Sequence, residues 1–112
     1  MRAGDLIGPG ELTVRSQREG EIHTVRLAGE LDLATAVDVE RELERVEATD
    51  AASIVLDLSG LTFMDSTGVR LVVNAHTRSA AGGRRLALLR GQTAVQRVME
   101  LSGVNGLLPF AD

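Results

Sequence analysis

The chain has no cysteine, tryptophan or tyrosine, and every one of its 12 basic side chains is arginine. Without cysteine there are no disulfides, thiolate metal sites or thiol nucleophiles. Without lysine there is no phosphate-loop lysine, no Schiff-base amine and no lysine of a two-component receiver. The only aromatic side chains are 2 phenylalanines, so the core must be aliphatic. No apolar run approaches the roughly 18 residues of a membrane span. The opening MRAGDLIGPG carries an early Asp5 and lacks the continuous apolar stretch of a signal peptide. Neither G-x-G-x-x-G nor G-x-x-x-x-G-K-[ST] occurs, which removes the common nucleotide cradles. A net charge of −4 and a pI near 5.1 argue against a nucleic-acid partner, because a phosphate-binding face needs clustered excess positive charge.

What is present fits one compact α/β domain. The 112 residues, 44% hydrophobic and 25% charged, match ordinary globular usage. Residues 1–10 read as a loose lead-in and residues 11–112 as the domain, with the cytoplasm as the expected compartment. LTVRS (Leu12 to Ser16) and IHTVRLA (Ile22 to Ala28) flank the polar connection Gln17 to Glu21, the pattern of a β-hairpin. His23, Val25 and Leu27 share one face of the second strand and Thr24 and Arg26 the other. The period then becomes helical, with Ala36, Val39, Leu43 and Val46 as the apolar stripe and Asp32 as N-cap. SIVLDL (Ser53 to Leu58) is expected to be a central strand covered on both faces, and Ser59 to Asp65 a loop that sends Phe63 into the core.

A second helix is expected from Ser66 to about Ala80. Its apolar stripe is Val69, Val72, Val73, His76 and Ala80, and Ser66 tops a polar stripe with Arg70, Asn74 and Arg78. Gly82-Gly83 turns the chain into a strand over Arg85 to Arg90. A last helix follows Gly91, packs Val95, Val98 and Met99, and stops at Gly103; GLLPFAD would add a short edge strand. The order β-β-α-β-α-β-α implies a mixed, mostly parallel sheet of about four to five strands, with an N-terminal hairpin and packed helices.

Enzymatic constellations are poor. A hydrolase of this class would show G-x-S-x-G, whereas the surroundings of Ser66 read D-S-T-G. His76, ten positions along the same helix, lies about 15 Å from Ser66, beyond reach as a base. Asp57 and Asp65 resemble part of a phosphoaspartate receiver's acidic pocket, but the acidic pair after the first strand and the lysine after the last are missing. Asp57 is better placed as a strand-end carboxylate bonded to loop amides. Asp65 can cap the helix that begins at Ser66, and capping alone would account for a lone D-S-T-G.

The context is longer than a cap. IVLDLSGLTFMDSTGVRLVV, with LAGELDLATA upstream and VQRVMELSGV downstream, resembles the STAS-domain family of anti-sigma-factor antagonists over Leu12 to Phe110. The resemblance implies a bacterial regulator of transcription that acts by partner switching, is not an enzyme and carries no cofactor or metal. It implies binding to an anti-sigma factor that is also a serine kinase, phosphorylation of Ser66 as the off-switch with Thr67 as second choice, and reversal by a serine phosphatase. The resemblance implies Glu30, Asp32, Asp65, Ser66 and Thr67 at the partner-binding surface, and their place at the helix start adds Met64, Gly68 and Arg70 as expected contacts, without nucleic acid or membrane. A second reading on the same fold is an accessory or scaffold module of a transporter or sensor, lacking the serine switch.

Overall fold

The computed structural model describes residues 8–111; residues 1–7, most of the expected lead-in, lie outside them. The elements are β1 (Leu12–Glu19), β2 (Ile22–Leu31), α1 (Ala36–Glu47), β3 (Ser53–Met64), α2 (Ser66–Ala81), β4 (Arg85–Leu89) and α3 (Thr93–Leu101), followed by a 3-10 turn at Asn105–Leu107. They form a four-stranded sheet in the order β1-β2-β3-β4. β1 and β2 are antiparallel, and the two remaining pairings are parallel, as the element pattern predicts.

The hairpin is tighter than expected. β1 runs on to Glu19, and Gly20, at φ +59°, turns the chain back so that Glu19 pairs with Ile22. Left-handed backbone at that point suits glycine. Arg18 holds the turn through a Nε–H bond to the Gly20 carbonyl (2.7 Å) and an ion pair with Asp50 (3.0 Å).

β2 and β3 are also longer than expected. The stretch Ser59 to Met64, read as loop, continues β3 and pairs with Ala28 to Leu31. The pairing slips between Arg26 and Ala28 and again between Gly29 and Glu30, each slip placing an extra residue in β3. Such bulges break the alternation by which a strand is recognised. Gly60 allows the first of them, since a Cβ there would sit 2.7 Å from the Leu27 carbonyl oxygen.

Consecutive right-handed crossovers that step across the sheet in one direction place α1 and α2 on the same face. Under them lie His23, Val25, Leu27, Ile54, Leu56 and Leu58, joined by Val39, Leu43 and Val46 from α1. The opposite face is less covered: Thr24 and Val55 are half-buried and Arg26 is exposed, so β3 is not enclosed on both sides as expected. Asp57, on that face, accepts from the Ser59 backbone N–H (2.9 Å) and hydroxyl (2.6 Å), the local bonding read from the sequence.

The buried stripe of α2 is rotated from the expected one. Gly68, Val69, Leu71, Val72, Ala75 and Ser79 face inward, Val73 and His76 are half-buried, and Ala80 is exposed. Small residues let the helix lie close to the sheet, a face that hydrophobicity alone under-weights. The tail forms a single bridge, Leu88 to Phe110, in place of an edge strand. Pro109 has no N–H to donate, but its carbonyl accepts from Leu88 at 3.0 Å.

Arg84, just before β4, closes the C-terminus of α1. Its guanidinium donates to the carbonyls of Glu47 (2.9 Å) and Thr49 (2.7 Å) and is within 3.5 Å of that of Val46. Carbonyls left over at a helix end are satisfied by a cation that also opposes the helix dipole. Arg84→Met should therefore lower stability by about 1–3 kcal/mol in urea unfolding, and Arg84→Lys should recover only part of it.

Beneath α1, neither ring nitrogen of His23 has a hydrogen-bond partner among the described residues. Burial first, then the charge of Arg45, holds its pKa below 6.5, with Arg18 adding to and Glu42 opposing the effect. Glu42, bonded to Arg45 and to the Ser16 hydroxyl, is lowered from 4.5 to about 2, chiefly by the Arg45 hydrogen bond. In both cases the unfolded chain binds more protons than the folded one, so stability rises with pH across each window. Unfolding free energy should fall as pH drops below 6.5, and again as it drops from 4.5 toward 2. His23→Leu should remove the upper stage and Glu42→Gln the lower, as read by denaturant titrations at several pH values.

Candidate functional site

The C-terminal ends of β2 and β3 lie side by side, with Leu31 paired to Met64. Immediately beyond, the Asp65 N–H donates to the Leu31 carbonyl at 3.2 Å. This pairing brings the loop that leaves β2 and the start of α2 together at the strand ends, where open α/β sheets collect their sites.

Each segment is shaped by a carboxylate. Asp32 Oδ1 accepts from the N–H groups of Ala34 and Thr35, both at 3.0 Å, while its carbonyl accepts from Ala36 N–H at 2.9 Å. Asp32 thus caps a turn that precedes α1, and the α-helix proper begins at Ala36. The Thr35 hydroxyl donates to the Glu30 carbonyl at 2.8 Å and fastens this turn to β2. Glu30 is directed elsewhere: its carboxylate accepts from the Gly10 N–H at 2.6 Å.

Asp65 is the N-cap of α2, in extended conformation, with Oδ1 accepting from Thr67 N–H (2.9 Å) and Gly68 N–H (3.4 Å). Two of the amides that a helix start leaves free are therefore answered by one carboxylate. Ser66, the first residue of the helix, is exposed, and its hydroxyl makes no hydrogen bond with the described residues. Thr67 is half-buried, and Arg70 is exposed one turn below Ser66.

The expected contact set needs correction at two positions. Met64 is only 2% exposed, because its place in β3 points it under α2. Gly68 is buried: a Cβ there would come 2.6 Å from Met64 Cγ and 3.1 Å from Leu31 Cδ2. Both support the surface from beneath. Leu71, on the same helix, is buried as well. Phe63, expected in the core, is 45% exposed, since the second bulge turns it outward next to Met64. Leu33 at 79% and Val37 at 48% are also exposed at this end of the sheet. Val37 was legible in the helical period, being outside the Ala36, Val39, Leu43, Val46 stripe; Leu33 carried no such signal. The site thus combines a free hydroxyl, a neighbouring carboxylate and a rim of exposed apolar side chains, an arrangement suited to holding another protein.

The STAS domain family model matches residues 13–112, and the chain belongs to that family. It is a regulatory, non-catalytic domain family. The chain is 28% identical over 102 residues to an anti-sigma F factor antagonist of Paenibacillus polymyxa, covering 90% of this chain and 87% of the relative. The fold superimposes on an anti-sigma factor antagonist from Mycobacterium paratuberculosis with a TM-score of 0.85 at 23% identity, covering 94% and 89% of the two chains. It also superimposes on the phosphorylated form of the Bacillus cell fate determinant SpoIIAA, with a TM-score of 0.68 at 25% identity and coverage of 89% and 92%.

Gly68→Ala should lower stability by about 1–3 kcal/mol through overpacking against Met64 and Leu31, and Asp65→Ala by about 1 kcal/mol through loss of the cap. Thermal or urea unfolding followed by circular dichroism measures both.

Proposed function

We propose that this chain is a cytoplasmic anti-sigma-factor antagonist whose unphosphorylated form binds an anti-sigma factor, frees a sigma factor and is switched off by phosphorylation of Ser66. The observation that carries the reading is the state of Ser66: exposed, at the first position of α2, beside a carboxylate that already occupies two of the free amides. The relatives support it. One is an anti-sigma F factor antagonist, and another has been solved in a phosphorylated form.

The chemistry follows from charge. Phosphorylation adds about −1.5 to −2 charges and three acceptor oxygens. A helix N-terminus tolerates the phosphate, so the fold is unaffected. Because Asp65 holds the Thr67 and Gly68 amides, the phosphate is left outward, next to the Asp65 carboxylate and the apolar rim. A partner that covers the rim must then strip water from a dianion without a matched cation. A penalty of about 4 kcal/mol weakens binding roughly a thousandfold.

In this reading the anti-sigma factor is also the serine kinase, and a serine phosphatase restores the binding form. Asp32, Asp65, Thr67 and Arg70 form the polar part of the contact, and Leu33, Val37 and Phe63 the apolar part. Glu30 contributes through the loop it supports, and Thr67, half-buried, is the lesser acceptor. Ser66→Ala should abolish phosphate incorporation by the cognate kinase while keeping affinity within about threefold. Ser66→Asp should weaken it more than about tenfold without changing the unfolding midpoint. Calorimetry of both variants against the partner decides the matter: equal affinities would dismiss the switch, and phosphate recovered on another residue would relocate it.

A further inference from the structure

β1 is an edge strand, and among the described residues no strand pairs with its outer side. Its pairing with β2 runs from Leu12 to Glu19 without a slip, and the strand contains no proline. The Glu30 N–H donates to the Glu11 carbonyl at 2.9 Å, which sets the parity of the ladder. Thr13, Arg15, Gln17 and Glu19 therefore bond to β2, while the backbone N–H and C=O groups of Leu12, Val14, Ser16 and Arg18 point away from the sheet. Natural proteins protect such edges with bulges, prolines, covering segments or charged side chains, and among the described residues only the charges of Arg15, Arg18 and Glu19 stand here.

The charges on this strand are also incomplete. Arg15 lies directly opposite Arg26, an unfavourable like-charge pair across the ladder. Arg26 has its own partners, the Asp57 carboxylate at 3.6 Å and the Gln17 side-chain oxygen at 3.3 Å. Among the described residues, Arg15 and Glu19 take part in no ion pair. The two share one face of β1 but are four residues apart along it, about 13 Å, too far to pair within one strand.

We infer that the β1 edge is a self-association surface, on which a second copy of this chain pairs antiparallel about a two-fold axis at Gln17. In that register Arg15 of each copy faces Glu19 of the other, and Ser16 and Arg18 exchange backbone hydrogen bonds with their counterparts. Both unmatched charges find partners and the open ladder closes into a sheet continuous through both copies. Symmetric alternatives of the same parity serve the charges less well: a two-fold at Arg15 sets the arginines against each other, and one at Ser16 sets Arg15 against Gln17. A single edge buries less than a standard interface, so the dimer is weak and concentration-dependent. The surface is formed from β1 alone and does not include Ser66, so the inference is independent of the function proposed above.

Sedimentation of the full chain up to about 1 mM tests it, together with amide exchange at low and high concentration. A reversible dimer is expected. Arg15→Glu and Glu19→Arg should each weaken it about tenfold, and the double reversal should return it to within about threefold. The Ser16 and Arg18 amides should gain protection as concentration rises. A monomer throughout, a dimer indifferent to Arg15→Glu, or protection that appears only outside β1 would overturn the inference.

Discussion

The parallel pairing of β2 with β3 beyond the middle of the sheet is the constraint on which the rest depends. It carries Leu31 alongside Met64 and ends in the bond from the Asp65 N–H to the Leu31 carbonyl. Without that extension, the turn at Asp32 and the start of α2 would be independent loops. With it, two separate segments of chain form one surface, and the position of Ser66 relative to the turn is fixed by backbone hydrogen bonds together with the Thr35 hydroxyl and the Asp32 and Asp65 carboxylates.

The surface then needs close packing beneath it. Gly68 lets the first turn of α2 settle onto Leu31 and Met64, and Gly60 lets β3 approach β2 at the bulge. These glycines leave no space for a methyl group, which makes the platform rigid. The hydroxyl and the apolar rim above it are exposed, so what can change is confined to the outside. Arg84 has a comparable part at the other end of the domain, where it joins the last turn of α1 to the start of β4.

Much of this was legible in the sequence. The element order, the antiparallel hairpin, the inward stripe of α1 and the Asp65 cap all follow from period and capping chemistry, because in each the local pattern and the tertiary environment agree. The reading failed where tertiary pairing overrides local pattern. Ser59 to Met64 looked like a loop because two bulges destroy its alternation, and Phe63 was assigned inward because a bulge reverses its side. The face of α2 was misjudged because glycine, alanine and serine, which hydrophobicity ranks low, are the residues that permit close contact. Met64 was placed among the contact residues as an adaptable side chain, and the packing shows it underneath. At the site, the Asp65 cap and a helix beginning at Ser66 followed from capping chemistry and period, whereas the exposure of Leu33 depends on a turn that no period encodes.

The bulges in β3 have a consequence for how a message could travel. A regular ladder can slide by a residue pair at modest expense, but a ladder with irregularities at fixed places has one alignment only, like a key cut to a single lock. The irregularities therefore pin the register of β2 against β3. In the proposed switch, a partner reads the chemical state of the rim by direct contact with it.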